Sequence, residues 1–166
     1  MNKYIELLKS NFSRIKNFSL YLSAAIVSGV LSILFNPFLA ANLSSLDYSI
    51  IGYYSSFAPL FTPILNFSLI SFYVRKYFKI PEDKRQLTLD TIITALLVWG
   101  IVSSLFVLVG FFIYCQLNKV ELPFFPFALM SVFQLFFNNF LLLYQVNCRM
   151  RSEAKRYFKI TMTASL

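Results

Sequence analysis

The chain has 166 residues, of which 58% are hydrophobic, 19% aromatic and only 13% charged, against roughly 25% charged in soluble domains. That composition excludes an ordinary water-soluble domain and points to a bilayer as the solvent. The net charge of +8 raises the question of nucleic acid, which the positions of the basic residues answer below.

Residues 1–16 place Ile5, Leu8, Phe12 and Ile15 on one helical face with Lys9 and Lys16 elsewhere. This is the pattern of an amphipathic segment lying in the headgroup layer, with a frayed basic tail as the alternative. A secretory signal is not expected, because the following apolar run is too long for an h-region and no A-x-A site closes it. No charge occurs from Asn17 to Leu46, Tyr48 to Val74, Thr91 to Asn118 or Leu122 to Cys148, and about 20 helical residues cross the hydrocarbon. The runs are continuously apolar rather than alternating, which predicts helices and not barrel strands. The expected layout is therefore transmembrane helices over 17–41, 48–74, 89–115 and 122–147, with loops over 75–88 and 148–159. Ile160, Met162, Ala164 and Leu166 rise toward a fifth span over 160–166, so further spans are expected beyond Leu166.

Fourteen of the fifteen basic residues fall before the first span, between the second and third, or after the fourth; Lys119 is the exception. The positive-inside rule then puts the N-terminus and both basic loops in the cytoplasm. The charge is topological, and no nucleic-acid partner is expected. Cys115 and Cys148 fall at opposite membrane faces in this layout and are not expected to pair, since a disulfide needs Cα atoms within about 7 Å.

Within the spans, polar residues line up. Span one carries Ser28, Ser32 and Asn36 at i, i+4 spacing beside the small pair Ala25 and Gly29; span two carries Ser55, Pro59, Thr62, Asn66 and Tyr73 on one stripe; span four carries Gln134, Asn138 and Gln145. Such stripes either join helices by hydrogen bonds of roughly 0.6 to 2 kcal/mol or converge on a hydrated path for a polar solute. Pro59 and Pro63 are candidate hinges of span two, where each removes a backbone hydrogen bond, and Pro37 is expected to help terminate span one. Asp90, at the expected start of span three, either complements the helix dipole or takes part in ion coupling. Glu82 and Asp83 read as a solvated loop. Most of the ten tyrosines fall near span ends as an aromatic belt, with sugar stacking by Tyr53 or Tyr54 as the alternative.

Catalysis is not expected. The chain has no histidine and none of the C-x-x-C, H-E-x-x-H, G-x-x-x-x-G-K-[ST] or G-x-S-x-G motifs, and no cofactor or metal is implied.

One stretch carries more. NPFLAANLSSLDYSIIGYY, over 36–54, closes a first span with Pro37, crosses a short link through Leu43, Leu46, Asp47 and Tyr48, and resumes with Gly52 and Tyr53; Arg75 and FKIPEDKRQL follow. With the opening IELLKSNFSRIKNF and the basic loop CRMRSEAKRYFK, this resembles the start of the lipid-linked oligosaccharide flippases. These are the Wzx-type O-antigen and capsule transporters of the multidrug/oligosaccharidyl-lipid/polysaccharide exporter superfamily. The chain departs from the family pattern in having Ser49 where a glycine usually follows the link tyrosine.

The resemblance implies an all-α integral membrane protein of the bacterial inner membrane, with four transmembrane helices plus the start of a fifth, N-terminus cytoplasmic, forming part of the first lobe of a two-lobe transporter. It implies transfer of an undecaprenyl-diphosphate-linked oligosaccharide to the outer leaflet for lipopolysaccharide or capsule assembly. The implied partners are the lipid-linked oligosaccharide, membrane lipids, the remaining helices of the full-length transporter and polysaccharide polymerase machinery. Asn36, Ser55, Thr62, Asn66, Gln134, Asn138 and Gln145 would line the path, and Arg75 and Arg149 would meet the diphosphate at its rim. A four-span adaptor that uses the stripes to bind helices, and a drug exporter of the same superfamily, are the rival expectations.

Overall fold

The computed structural model describes the backbone of residues 2–165 and the side chains of residues 15–164. Among the described residues the chain is helical and without strands. Its helices are α1 (Asn2–Asn42), α2 (Ser45–Ser56), α3 (Ala58–Asn66), α4 (Leu69–Lys76), α5 (Glu82–Leu117), α6 (Phe127–Met150) and α7 (Ala154–Ser165), with a single 3-10 turn at Tyr77–Lys79. Three stretches are long and apolar enough to cross a membrane: Ile15–Asn42, Glu82–Leu117 and Phe127–Met150. A bent pair, Ser45–Asn66 with Leu69–Lys79, makes a fourth if it is one broken span. The chain is thus an all-helical, multi-pass membrane protein by length and composition.

Two compact units are present. The first combines residues 1–42 with 145–166, and the second is Leu43–Tyr144. In the first unit α1 packs along α7. The face formed by Ile5, Leu8 and Phe12 lies outside the described side chains, and the backbone of α1 runs from Asn2 through that segment without a break. Pro37 does not end the helix, which continues to Asn42. There the Asn42 side-chain amide donates to the Phe38 carbonyl at 2.8 Å, satisfying one of the orphan acceptors that a helix C-terminus leaves.

The second unit starts at a helix cap. Ser44 is extended (φ −66°, ψ 156°) and accepts from the Asp47 backbone N–H, and its hydroxyl also hydrogen-bonds the Asp47 carboxylate. The polar link of the sequence is therefore the N-terminus of α2, with Asp47 in the first turn where an acid complements the dipole.

The helical stretch expected as the second span is broken twice. A gap at Phe57 separates α2 from α3, with Pro59 in the first turn of α3, where a missing N–H costs nothing. The larger break is a 59° bend between Asn66 and Leu69, one turn past Pro63 and at neither proline. Phe67 and Ser68 take φ of 44° and 56°, the left-handed region that ends helical hydrogen bonding and is costly for residues with a Cβ.

The segment expected as a loop over 75–88 is mostly helical, because α5 begins at Glu82. Glu82 and Asp83 occupy its first turn, Arg85 pairs with Glu82 at 3.1 Å, and the Arg85 guanidinium sits 4.8 Å from the centre of the Tyr77 ring. The pair Glu82 and Asp83 is thus the dipole-complementing start of a helix rather than a loop. With 36 residues rising about 1.5 Å each, α5 is longer than a bilayer requires, so its charged first turns extend beyond the hydrocarbon. The segment over 148–159 likewise turns only at 151–153 before α7 begins at Ala154.

One face of α5 is inward: Leu89, Ile92, Leu96, Gly100, Ser103, Val107, Phe111 and Cys115 are buried at steps of three or four. A Cβ on Gly100 would come within 2.6 Å of the Phe136 ring, so the absent side chain is what lets α6 approach there. The outer face, including Leu105 and Phe106, is exposed, as expected where hydrocarbon is the solvent. The core of the unit gathers Ile50, Tyr54, Phe61, Leu65, Val107, Phe111, Cys115, Ala128 and Val132.

Candidate functional site

A cavity of about 250 Å³ opens in the second unit between α2–α3 and α6, lined by Ile50, Ile51, Tyr54, Ser55, Ala58, Phe127, Met130, Ser131, Gln134 and Leu135. Its walls are apolar and aromatic, and its polar groups besides the Tyr54 hydroxyl are the hydroxyls of Ser55 and Ser131 and the amide of Gln134. One residue from the stripe of span two and one from the stripe of span four thus meet at the same space.

The aromatic wall is fixed. The Tyr54 hydroxyl donates to the Pro123 carbonyl at 2.9 Å, and its ring lies 5.7 Å from Phe111 and 6.3 Å from Phe127. Ser55 donates to the Gly52 carbonyl at 3.1 Å, which leaves its oxygen able to accept. Gln134 is exposed and makes no hydrogen bond among the described residues, so its amide is available to a ligand. The lining carries no charge, and such a site suits an uncharged hydroxyl-bearing group placed against aromatic faces.

The other expected path residues lie elsewhere. Thr62 donates to the Ala58 carbonyl at 2.7 Å, within its own helix. Asn66 accepts from the Ser68 backbone N–H at 2.8 Å and so belongs to the 59° break. Asn138 is exposed outside the cavity lining, while its neighbour Asn139 is buried at 4% exposure and donates to the Leu135 carbonyl at 3.2 Å. In the first unit Gln145 donates to the Thr161 hydroxyl at 3.3 Å, joining α6 to α7, and Asn36 is exposed on α1. The span-four stripe therefore divides between a cavity-lining residue, an exposed one and a helix-joining one.

Arg75 is exposed in the last turn of α4 and donates to the Ser71 carbonyl at 3.4 Å. Arg149 is exposed in the last turn of α6, with its guanidinium 5.9 Å from the centre of the Tyr157 ring. Each complements a helix C-terminus. Asp90 sits in the third turn of α5, beyond the reach of the helix dipole, and accepts from the Gln86 amide at 3.0 Å. Among the described residues no group of acidic, histidine or cysteine side chains could hold a metal, and Cys115 and Cys148 are both free and buried.

Several contacts of the second unit do not follow from the sequence pattern. Trp99 on α5 donates its indole N–H to the Ile64 carbonyl at 2.8 Å, a carbonyl whose helical partner, the Ser68 N–H, is taken by Asn66. Tyr54, Tyr73 and Tyr77 are buried rather than placed at a surface belt. The indole was visible only as the chain's one tryptophan. Comparison with known proteins finds no matching family model, no matching curated protein and no matching solved structure.

Proposed function

We propose that the chain forms part of the first lobe of a two-lobe membrane transporter that flips an undecaprenyl-diphosphate-linked oligosaccharide to the outer leaflet. The observation that carries this reading is the uncharged, aromatic-walled cavity where Ser55 and Gln134, one from each of two polar stripes, come together. Hydroxyl and amide groups without charge exchange hydrogen bonds with sugar hydroxyls, and aromatic faces cover their apolar ring surfaces. The broken second span supports the same reading, because irregular backbone at membrane depth is tolerated only where protein or a water-filled cavity covers it. Arg75 at a span end would meet the diphosphate, with no cofactor required. In the full-length protein, Gln134→Leu is expected to lower surface glycan per folded transporter about tenfold, the effect of losing about 1.4 kcal/mol of binding, while exposed Leu142→Phe leaves it unchanged. Unaltered output per folded molecule for Gln134→Leu would remove the cavity from the path.

The proposed orientation is N-terminus cytoplasmic, with four spans. Its support is the fourteen-to-one distribution of basic residues. In a background with Cys115→Ala and Cys148→Ala, an impermeant thiol reagent applied to intact cells is expected to label Ser44→Cys and Lys119→Cys and to spare Asp83→Cys and Lys155→Cys. The reverse pattern would overturn the orientation and the flippase reading with it.

The adaptor reading rests on one observation, the Gln145 to Thr161 hydrogen bond, which uses a stripe residue to join helices. It accounts for that residue and leaves the cavity at Gln134 without a role.

A further inference from the structure

We propose that the corner between α6 and α7 in the first unit is a docking surface for the phosphate headgroup of an anionic phospholipid of the surrounding bilayer, distinct from any transported lipid. The corner is placed at headgroup level by the spans themselves: the charge-free run of α1 begins at Asn17, and another candidate span ends at Met150. The Asn17 amide donates to the Ser152 carbonyl at 3.5 Å, and the Tyr21 ring meets Tyr157 edge-on at 5.1 Å. The fold therefore brings Lys16, which is 133 positions before Arg149 in sequence, to the level of the corner.

The charge there has one sign. Lys16, Arg149, Arg151, Lys155 and Lys159 are all exposed. The single acid over 149–159 is Glu153, already held by Arg156 at 3.3 Å. The Arg149 guanidinium lies near the Tyr157 ring face at 5.9 Å, which orients a planar fork suited to phosphate oxygens. Below it, α1 exposes Ile15, Phe18 and Leu22, an apolar strip along which acyl chains can lie. Basic side chains immediately outside a membrane span attract anionic headgroups by about 1 kcal/mol each, and a phospholipid is the anion present in that layer in quantity.

The test uses the chain in phosphatidylcholine nanodiscs doped with phosphatidylglycerol, with retained lipid counted by native mass spectrometry. It does not depend on transport, so its failure and that of the flippase reading are distinguishable. The expected result is selective retention of phosphatidylglycerol, lowered about fivefold by Arg149→Gln or Lys155→Gln and about 25-fold by both. Arg149→Lys, which keeps the charge and loses the fork, should restore retention only in part, and Lys79→Gln with Lys84→Gln, in the other unit, should leave it unchanged. Rising ionic strength should also strip phosphatidylglycerol from the unaltered chain while phosphatidylcholine stays constant, a measurement that needs no variant to fold. Equal loss in the control pair, retention insensitive to salt, or displacement by inorganic phosphate well beyond that caused by a chloride salt of equal ionic strength would overturn the proposal.

Discussion

Replacing Phe111 by alanine is expected to destabilise the second unit by about 3 kcal/mol, the low end of the range for deleting a buried aromatic side chain. The low end applies because hydrocarbon is as apolar as the core, so the transfer contribution is small and the cost comes from the cavity and lost contacts. Those contacts are many. Phe111 lies 4.7 Å from Phe57, 5.3 Å from Phe61, 5.7 Å from Tyr54 and 5.8 Å from Phe124, ring centre to ring centre. It therefore joins α2, α3 and α5 and the segment before α6 at one point, and deleting it loosens all four. The comparison is Phe106→Ala, since Phe106 is 74% exposed on the outer face of the same helix and should cost less than about 0.5 kcal/mol. Unfolding in mixed micelles can be followed through Trp99, the chain's single tryptophan, which lies 4.8 Å from the Phe67 ring. Equal effects of the two substitutions would mean that the Phe111 cluster does not hold the unit together.

The contrast between Phe111 and Phe106 also shows what the sequence could not reveal. In water, an inward face is marked by polar residues on the opposite side; in a bilayer both sides of α5 are apolar, and the hydrophobic pattern loses its phase. Continuous charge-free runs were enough to indicate helices of membrane length, but the span expected from Tyr48 begins at Ser45, because the Ser44 and Asp47 cap was read only as a polar link. They did not indicate which of Asn138 and Asn139 turns inward, because the two are about 100° apart on a helix and chemically identical. Nor could proline chemistry locate the sharp bend. Pro59 was accommodated in a first helical turn, while the bend formed at Phe67 and Ser68, residues with no intrinsic preference for positive φ. Gln134 and Ser55 were legible as polar residues in apolar runs, but their sharing of one cavity depends on a packing that only the folded chain displays.

The bend itself supplies the second large effect. Its backbone groups are matched one for one: the Asn66 side chain accepts from the Ser68 N–H at 2.8 Å, and the Trp99 indole donates to the Ile64 carbonyl at 2.8 Å. Trp99→Phe keeps a ring against Phe67 and removes the donor; Asn66→Leu keeps the volume and removes the amide whose oxygen is the acceptor. Each leaves one backbone group unpaired, which costs about 1 to 3 kcal/mol when it is out of water. Because both act on the same break, their effects should fall short of additive by about 1 kcal/mol: once one group is unpaired, the break is already free to rearrange. Circular dichroism in mixed micelles gives the three unfolding free energies. If each variant loses less than about 0.5 kcal/mol, water must reach the freed groups. The bend would then face a hydrated space rather than hydrocarbon or packed protein, and Asn66 would move from a structural clamp to a residue lining that space.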